Sequence, residues 1–128
     1  MTTPARVALV TGAAGGIGSA VVQRFLVGGW RVAATDVAPL AATDERTLPI
    51  SADLRDVGAV RAMVEQAAAW HGRLDAVVNA AGVWTEGRAD DTTEAEWDLV
   101  VGVNLKGLYF VTSAAIPHLE RTGGCVVN

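Results

Sequence analysis

The chain has 128 residues, of which 51% are hydrophobic and 19% charged, a balance typical of one globular domain and not of a disordered segment. Ten basic and fourteen acidic side chains give a net charge of −4 without a basic cluster, which argues against nucleic acid and anionic membranes as partners. The single cysteine, Cys125, excludes an internal disulfide, fits a reducing cytoplasm, and is predicted to be a small buried apolar residue. No uninterrupted run of about 18 apolar residues occurs, so we expect no membrane span.

Short apolar strands alternate with amphipathic helices along the whole chain. In chain order, the predicted elements are a strand at Arg6–Val10, a helix at Ile17–Val27, strands at Trp30–Thr35 and Thr47–Ser51, a helix at Asp56–Trp70, a strand at Leu74–Asn79, a long helix from Thr93 to about Arg121, and the start of a fifth strand at Cys125–Val127. The segment from Val37 to Arg46 is short for a crossover helix and is predicted to be a loop or a single helical turn.

The long helix is predicted to carry one apolar stripe from Trp97 to Leu119, with a kink or a loosened turn near Pro117. Alternating strands and helices favour an α/β fold, a doubly wound parallel sheet of Rossmann type in three α/β/α layers, which the chain follows as far as the beginning of the fifth strand. Residues 1–128 are therefore predicted to be the N-terminal part of one such domain.

A glycine-rich turn, Thr11 to Gly18, joins the first strand to the first helix. A dinucleotide pyrophosphate needs backbone N–H groups at a helix N-terminus and no side chain that blocks its approach, and glycines meet both needs. The spacing is G-x-x-x-G-x-G, which differs from the general G-x-G-x-x-G fingerprint. A glycine-rich turn without a ligand is the alternative interpretation.

The Thr11–Gly18 turn resembles the T-G-x-x-x-G-x-G loop of the short-chain dehydrogenases/reductases. Three further motifs follow in the order of that family: Asp53-Leu54, then the segment from Asn79 to Gly82, then Asn104 in the long helix. The segment Gly123–Asn128 is similar to the family's lead-in to its catalytic serine. The resemblance covers essentially the whole chain but about half of a typical family member.

The resemblance implies a nicotinamide cofactor, and Asp36 at the end of the second strand favours NAD. An acidic side chain there accepts hydrogen bonds from the adenosine ribose and repels the 2′-phosphate of NADP. Ala13, Ala14 and Val37 stand where NADP-dependent members usually carry a basic residue. The alternative for Asp36 is a turn residue without a ligand.

The remaining cofactor contacts also rest on the resemblance. It implies that Asp53 and Leu54 flank the adenine and that the segment following the fourth strand lines the nicotinamide ribose while Asn79 braces neighbouring strands. Asp53 is otherwise explained as a turn residue before a helix, and the later segment as a structural turn. The predicted cofactor-binding residues are Gly12, Gly16, Ile17, Gly18, Asp36, Asp53, Leu54, Asn79, Ala80, Ala81 and Gly82.

Family members interconvert alcohols and carbonyls with a tyrosine acid/base, a lysine that lowers its pKa, a serine and an asparagine. Asn104 matches the asparagine; its alternative is a polar residue tolerated in a helix. The one tyrosine, Tyr109, is followed four residues later by Ser113, so no Y-x-x-x-K pair occurs. The chain alone is therefore expected to be inactive. His71 and His118 are expected to be exposed, and no spacing typical of metal ligands occurs.

The leading hypothesis is an NAD-dependent oxidoreductase that acts on a small alcohol or carbonyl substrate, represented by an incomplete, cytoplasmic chain. The alternatives are a non-catalytic nucleotide-binding module, half of a two-chain enzyme, or a decayed gene; a nucleotide-sugar epimerase relative is disfavoured by the loop spacing. The resemblance also implies a homo-oligomer that contacts through the long helix from Thr93. Because this helix and the open sheet edge would lack their usual neighbours, we expect marginal stability or self-association.

Overall fold

The computed structural model describes residues 2–42 and 44–128 and shows one parallel sheet with helices on both faces. Its elements are β1 (Val7–Thr11), α1 (Gly16–Val27), β2 (Arg31–Asp36), β3 (Thr47–Ser51), α2 (Val57–His71), β4 (Ala76–Asn79), α3 (Glu94–Val101), a π-helical segment (Gly102–Gly107), α4 (Leu108–Thr122) and β5 (Cys125–Val127). The predicted α/β architecture is confirmed, with boundaries within about two residues of the prediction.

The strands lie in the order β3-β2-β1-β4-β5, so the direction of winding reverses at β1. The chain first adds β2 and β3 on one side of β1 and then returns to place β4 on the other side. All five residues of β1 are buried, as expected for the central strand of a sheet covered on both faces. The carboxyl ends of β1 and β4 meet at Thr11 and Asn79, where a crevice opens at this reversal.

Side chains alternate between the two faces of the sheet and form two separate cores. On one face, Leu9 and Val77 pack with Val64 of α2 and Val111 of α4. On the other face, the core contains Val10, Ala13, Val22, Leu26, Val32 and Ala34 and is covered by α1. The sheet is therefore covered by two helices on one face and by one helix on the other.

This asymmetry corrects the prediction that Cys125 is buried: the thiol is exposed. Val126 packs against the core beneath α2 and α4, so Cys125 and Val127 point to the opposite face. Within the part of the chain that the structure describes, that face is covered by α1 over β1 and β2, and no helix extends over β5. The strand β5 pairs with β4 alone there, which leaves its other edge open.

The long helix differs from the predicted continuous α-helix because six residues in its middle, Gly102–Gly107, form a π-helical segment. A π turn holds one more residue than an α turn, so the faces before and after the segment do not align. Val111, Ala115 and Leu119 face the core, whereas Trp97 and Leu105 of the predicted stripe are 63% and 64% exposed. The helix continues through Pro117 to Thr122.

Helix ends follow the sequence signals. Asp56 caps α2 by accepting a hydrogen bond from the Ala59 N–H at 3.1 Å. Thr93 and Glu96 form a reciprocal capping box at the start of α3. Between β2 and β3, the described residues, 37–42 and 44–46, form neither helix nor strand, as predicted for this connection; Thr43 lies outside the described residues.

His118 is another correction, because its side chain is only 11% exposed. Packing of α2 against α4 places its Nε2 2.7 Å from a carboxylate oxygen of Glu65, and its Nδ1 lies 2.7 Å from Nη2 of Arg121. His71 is exposed, as predicted.

One helix of the described chain, Glu94–Thr122, is long and apolar enough by length and composition to cross a bilayer. The absence of such a segment was predicted from uninterrupted apolar runs alone. The helix Glu94–Thr122 is nevertheless apolar enough, because few polar residues are interspersed in it. Length and composition are a weak indication, since the same helix packs Val111, Ala115 and Leu119 against the sheet.

Candidate functional site

The glycine-rich turn lies against the segment that follows β4. Gly12 has φ +66°, and a Cβ placed on it would lie 2.7 Å from the backbone N and Cα of Ala81. Thr11 joins the same two segments, because its Oγ1 accepts a hydrogen bond from the Ala81 N–H at 3.2 Å. A residue at position 12 must therefore tolerate a left-handed backbone and have no side chain.

The same turn leaves the first turn of α1 open. A Cβ on Gly16 would meet nothing within 4 Å among the described residues, and Ile17 is 77% exposed. Gly18 instead packs its Cα face on the carbonyl of Gly12. The residue before the helix, Gly15, offers no side-chain cap to the first N–H groups. These donors are of the kind that binds a phosphate.

A groove that is open to solvent runs along the carboxyl edge of β1, β2 and β3. Its walls come from five places in the chain: the ends of β1 and β2, the segments that follow β3 and β4, and the long helix. It is lined by Thr11, Gly12, Thr35, Asp36, Val37, Ala52, Asp53, Leu54, Arg55, Ala81, Gly82, Val83, Leu99 and Val103.

Asp36 lies at one end of this groove, half-buried at the last position of β2. Its Oδ2 accepts a hydrogen bond from the Ala14 N–H at 3.0 Å, and its Oδ1 accepts one from the Ala38 N–H at 3.0 Å. These bonds fix the carboxylate beside the glycine turn. Each oxygen keeps a lone pair for one further donor, such as a ribose hydroxyl.

Asp53 and Leu54 form another wall of the groove, and Arg55 is held beside them. The Arg55 guanidinium pairs with Asp53 through Nε at 3.0 Å and Nη2 at 2.7 Å. The hydrogen bonds from the Arg55 side chain, followed by that from its backbone N–H, lower the pKa of Asp53. Asp53 is therefore a carboxylate at neutral pH, and its oxygens act only as acceptors.

Asn79 lies beneath the groove at the end of β4. Its Nδ2 donates to Oγ1 of Thr112 at 3.2 Å and to Oδ1 of Asn128 at 2.8 Å, which ties β4 to α4 and to the residue after β5. Its own Oδ1 is buried and has no hydrogen-bond partner among the described residues. A buried acceptor in this state costs free energy until it meets a donor.

Asn104 lies within the π-helical segment and holds the backbone of Val83 with both atoms of its carboxamide. Its Oδ1 accepts from the Val83 N–H at 2.9 Å, and its Nδ2 donates to the Val83 carbonyl at 2.8 Å. We call this pair of bonds the Asn104 clasp. It ties the long helix to the segment that follows β4.

The structure thus brings most of the predicted site residues to one edge of the sheet. Six of them line the groove, three form the open helix end, Asn79 and Ala80 lie at the end of β4, and Asn104 stands behind Val83. The other eight wall residues were not among the predicted site residues; they are Thr11, Thr35, Val37, Ala52, Arg55, Val83, Leu99 and Val103. The position of Arg55, two residues after Asp53, was the one signal present, since such spacing permits a side-chain pair across a turn.

These residues fit a nicotinamide dinucleotide. The helix end offers N–H donors for a pyrophosphate, the groove offers two carboxylates for hydroxyl or amino donors, and the orphaned Asn79 Oδ1 lies at the crevice where bound nucleotides meet the sheet. No group of three His, Cys, Asp or Glu side chains suited to a metal ion occurs in residues 2–42 and 44–128.

Comparison with known proteins gives a family match over residues 6–128, described as short chain dehydrogenase. The chain is 33% identical to a meso-2,3-butanediol dehydrogenase from Serratia marcescens, covering 96% of this chain and 52% of that protein. It is 39% identical to a probable galactose dehydrogenase from Rhizobium meliloti, covering 94% and 51%.

Solved structures of dehydrogenases and reductases also match the chain. A 3-ketoacyl-(acyl-carrier-protein) reductase from Brucella melitensis, complexed with NADH, superposes with a TM-score of 0.86 at 34% identity, covering 92% of this chain and 52% of that one. A short-chain dehydrogenase from Streptomyces avermitilis gives a TM-score of 0.90 at 31% identity, covering 100% and 50%. The chain spans about half the length of the relatives that it matches.

Proposed function

Because the chain belongs to the short-chain dehydrogenase family, we propose that it forms the cofactor-binding part of an oxidoreductase that moves a hydride between NAD(H) and a small alcohol or carbonyl substrate. The observation that carries this proposal is the convergence of Gly12, Asp36 and Asp53 around one groove, at the edge where the strand order reverses. The glycine turn and α1 would hold the pyrophosphate, and the two carboxylates the adenosine.

NAD(H) is favoured over NADP(H) by the charge at the ribose end of the groove. The Asp36 carboxylate is fixed by the N–H groups of Ala14 and Ala38, so it cannot turn away from a bound ribose without losing two hydrogen bonds. A 2′-phosphate placed there would bring two negative groups together at short range. No side chain at Ala13, Ala14 or Val37 offers a compensating positive charge.

The bound cofactor would supply or accept the hydride, and the chain's own residues would bind and orient it. Asn104 is the one residue here that matches the family's catalytic set. Tyr109 is 62% exposed on α4 and is followed at the lysine spacing by Ser113. We therefore infer that the 128-residue chain alone binds cofactor without turning over. NADH formation by this chain from any of a panel of alcohols would contradict that inference.

We also propose partners and a setting for the chain. The exposed apolar side chains of the long helix, Trp97, Leu105, Tyr109 and Ile116, favour a contact with a second copy of the chain, which would cover them. The acidic balance of the chain favours neither nucleic acid nor an anionic membrane as a partner. A reducing, cytoplasmic setting is proposed on the single exposed thiol.

The direct test is a titration of the chain with NADH and NADPH, followed by nicotinamide fluorescence, in the unchanged protein and in Asp36→Ala. We expect the unchanged chain to prefer NADH. Loss of hydrogen bonds to a charged acceptor should weaken NADH binding by about tenfold, and loss of the repulsion should reduce the preference over NADPH. Asp91→Ala, which removes an exposed carboxylate outside the groove, is the matched control. Equal affinities of the unchanged chain for both cofactors would refute the assignment to NAD.

A second candidate is a nucleotide-binding module without catalysis of its own, or one chain of a two-chain enzyme. It is favoured by the lack of a Y-x-x-x-K motif in the 128 residues, since Ser113 stands four residues after Tyr109, the one tyrosine. A polypeptide that supplies a serine and a Y-x-x-x-K pair, and restores turnover when mixed with this chain, would select the two-chain enzyme.

A further inference from the structure

The π-helical segment rests on the groove wall at both of its ends. Its first residue, Gly102, faces the Arg55 side chain, and a Cβ on Gly102 would lie 3.1 Å from Cγ of Arg55. Its last residue, Gly107, is buried against Leu54, and a Cβ there would lie 2.7 Å from Cβ of Leu54 and 3.1 Å from its carbonyl oxygen. Two consecutive residues of the wall therefore contact the two ends of one segment.

Between those ends stands Asn104, whose carboxamide forms the Asn104 clasp on Val83. Both hydrogen bonds form only when the helix holds Asn104 at one rotation about the helix axis and at one position along it. A π turn is rare because its backbone geometry is less favourable than that of an α turn, so tertiary contacts must hold it. Here the contacts at Gly102 and Gly107 do so. The approach at Gly107 is closer than a side chain would allow, and the approach at Gly102 is tight against the stem of Arg55.

Arg55 is itself fixed from the groove side. Its guanidinium is bound to Asp53 by the bidentate pair, which leaves its aliphatic stem against Gly102. A ligand that orders Asp53 and Arg55 therefore also orders the surface on which the π-helical segment rests.

We propose that Leu54 and Arg55 are positioning residues for Asn104: their contacts with Gly107 and Gly102 keep the Asn104 clasp closed, and an adenine nucleotide bound against Asp53 strengthens it. The second half of this proposal rests on the proposed function, because it requires nucleotide in the groove. The first half concerns the chain without ligand.

The first test is amide hydrogen exchange at Val83 in the 128-residue chain, measured by NMR. Arg55→Ala removes the stem that faces Gly102, and Asn104→Ala gives the rate with the clasp absent. We expect Arg55→Ala to speed exchange at Val83 by about fivefold while exchange at Leu9 and Val77, in the central strands, stays unchanged. The double variant should exchange no faster than Asn104→Ala alone.

Arg88→Ala is the matched control, because Arg88 pairs with Asp90 at the same two-residue spacing as Arg55 with Asp53. Gly107→Ala tests the other end, and its added methyl should open the clasp by pushing the segment from Leu54. If that variant does not fold, Leu54→Ala tests the same contact. Val83 exchange that stays unchanged in Arg55→Ala, or rises only in step with Leu9 and Val77, would overturn the proposal.

The nucleotide half is tested by adding AMP, which carries adenine and phosphate but no nicotinamide. Saturating AMP should slow Val83 exchange by about threefold in the unchanged chain, and Asn104→Ala should weaken AMP binding by the same factor, because coupling is reciprocal. Binding of AMP without an effect at Val83 would overturn this half. Failure of AMP and NADH to bind would refute the proposed function and leave the ligand-free result standing.

Discussion

Replacement of Gly12 by alanine should destabilise the fold in two ways, through backbone strain and through a clash between two segments. The new Cβ would lie 2.7 Å from backbone atoms of Ala81 and 2.8 Å from the carbonyl oxygen of Ala80, and neither is a flexible side-chain end that can move aside. The residue would also be held at φ +66°, which L side chains disfavour. The two effects add because one concerns the local backbone and the other a contact between segments.

The magnitude follows from a comparison with Gly29, which has φ +80° but nothing within 4 Å of a placed Cβ in the described chain. Gly29→Ala carries the backbone strain alone, about 1 kcal/mol. Gly12→Ala carries this strain and a contact with backbone that must move, about 2 kcal/mol more. The free energy of unfolding should therefore fall by about 3 kcal/mol in Gly12→Ala.

The assay is urea unfolding followed by fluorescence of the partly buried Trp30 and Trp70. With a slope of about 1.5 kcal/mol per molar urea, the midpoint should fall by about 2 M for Gly12→Ala and by about 0.7 M for Gly29→Ala. Gly16→Ala, with open space at its Cβ and a helical backbone, should not lower the midpoint. Equal midpoints for Gly12→Ala and Gly29→Ala would refute the close approach of the glycine turn to Ala81.

Two further predictions concern stability away from the groove. The Asp75 carboxylate is buried and accepts from the Val7 N–H at 2.9 Å and from Nε and Nη2 of Arg73 at 2.8 and 2.6 Å. Asp75→Asn should cost about 2 kcal/mol in urea unfolding at neutral pH, because it removes the buried negative charge and places an amide N–H₂ where an oxygen accepted hydrogen bonds; a midpoint within error of the unchanged chain would contradict this. Burial raises the pKa of Asp75, but the Arg73 and Val7 hydrogen bonds and the charges of Arg73 and Arg6 outweigh it, so the folded pKa is lowered. Its stabilisation is thus complete above the unfolded value of about 4 and lost as pH falls through the folded pKa, and Asp75→Asn should flatten the fall of the midpoint in acid. Thr93→Ala, which removes the hydroxyl that accepts from the Glu96 N–H at 3.2 Å, should cost about 1 kcal/mol and fray the start of α3 in amide exchange, whereas unchanged protection there would show that the cap is dispensable.

The regular parts of the fold were predictable because each depends on local pattern. The strand Thr47–Ser51 was predicted with the bounds that the structure shows, and Asp56 and Thr93 marked the beginnings of their helices. The site edge was also predictable, since parallel strands bring their carboxyl ends together. Asp36 and Asp53 could therefore be placed near the glycine turn without knowledge of any contact.

What escaped prediction depends on contacts between distant segments. The π-helical segment has no composition of its own, and its phase shift moved Trp97 and Leu105 off the face that carries Leu119. Cys125 was predicted to be buried because its neighbours in the sequence are apolar. It is exposed because α1 covers β1 and β2 on that face of the described chain and does not extend over β5. Arg55, at the groove, contacts Gly102, which lies far along the chain, so no local pattern predicts this contact.

The reversal of strand order at β1 also bears on how the chain reaches its native state. The first strand pairs with β2 early in the sequence, but its other neighbour arrives much later, and the bond from the Val7 N–H to Asp75 spans 68 residues. Contacts of such sequence separation form slowly, because a long loop must close before they contribute. Since one wall of the groove is the segment that follows β4, we expect nucleotide binding to appear only in the last phase of refolding.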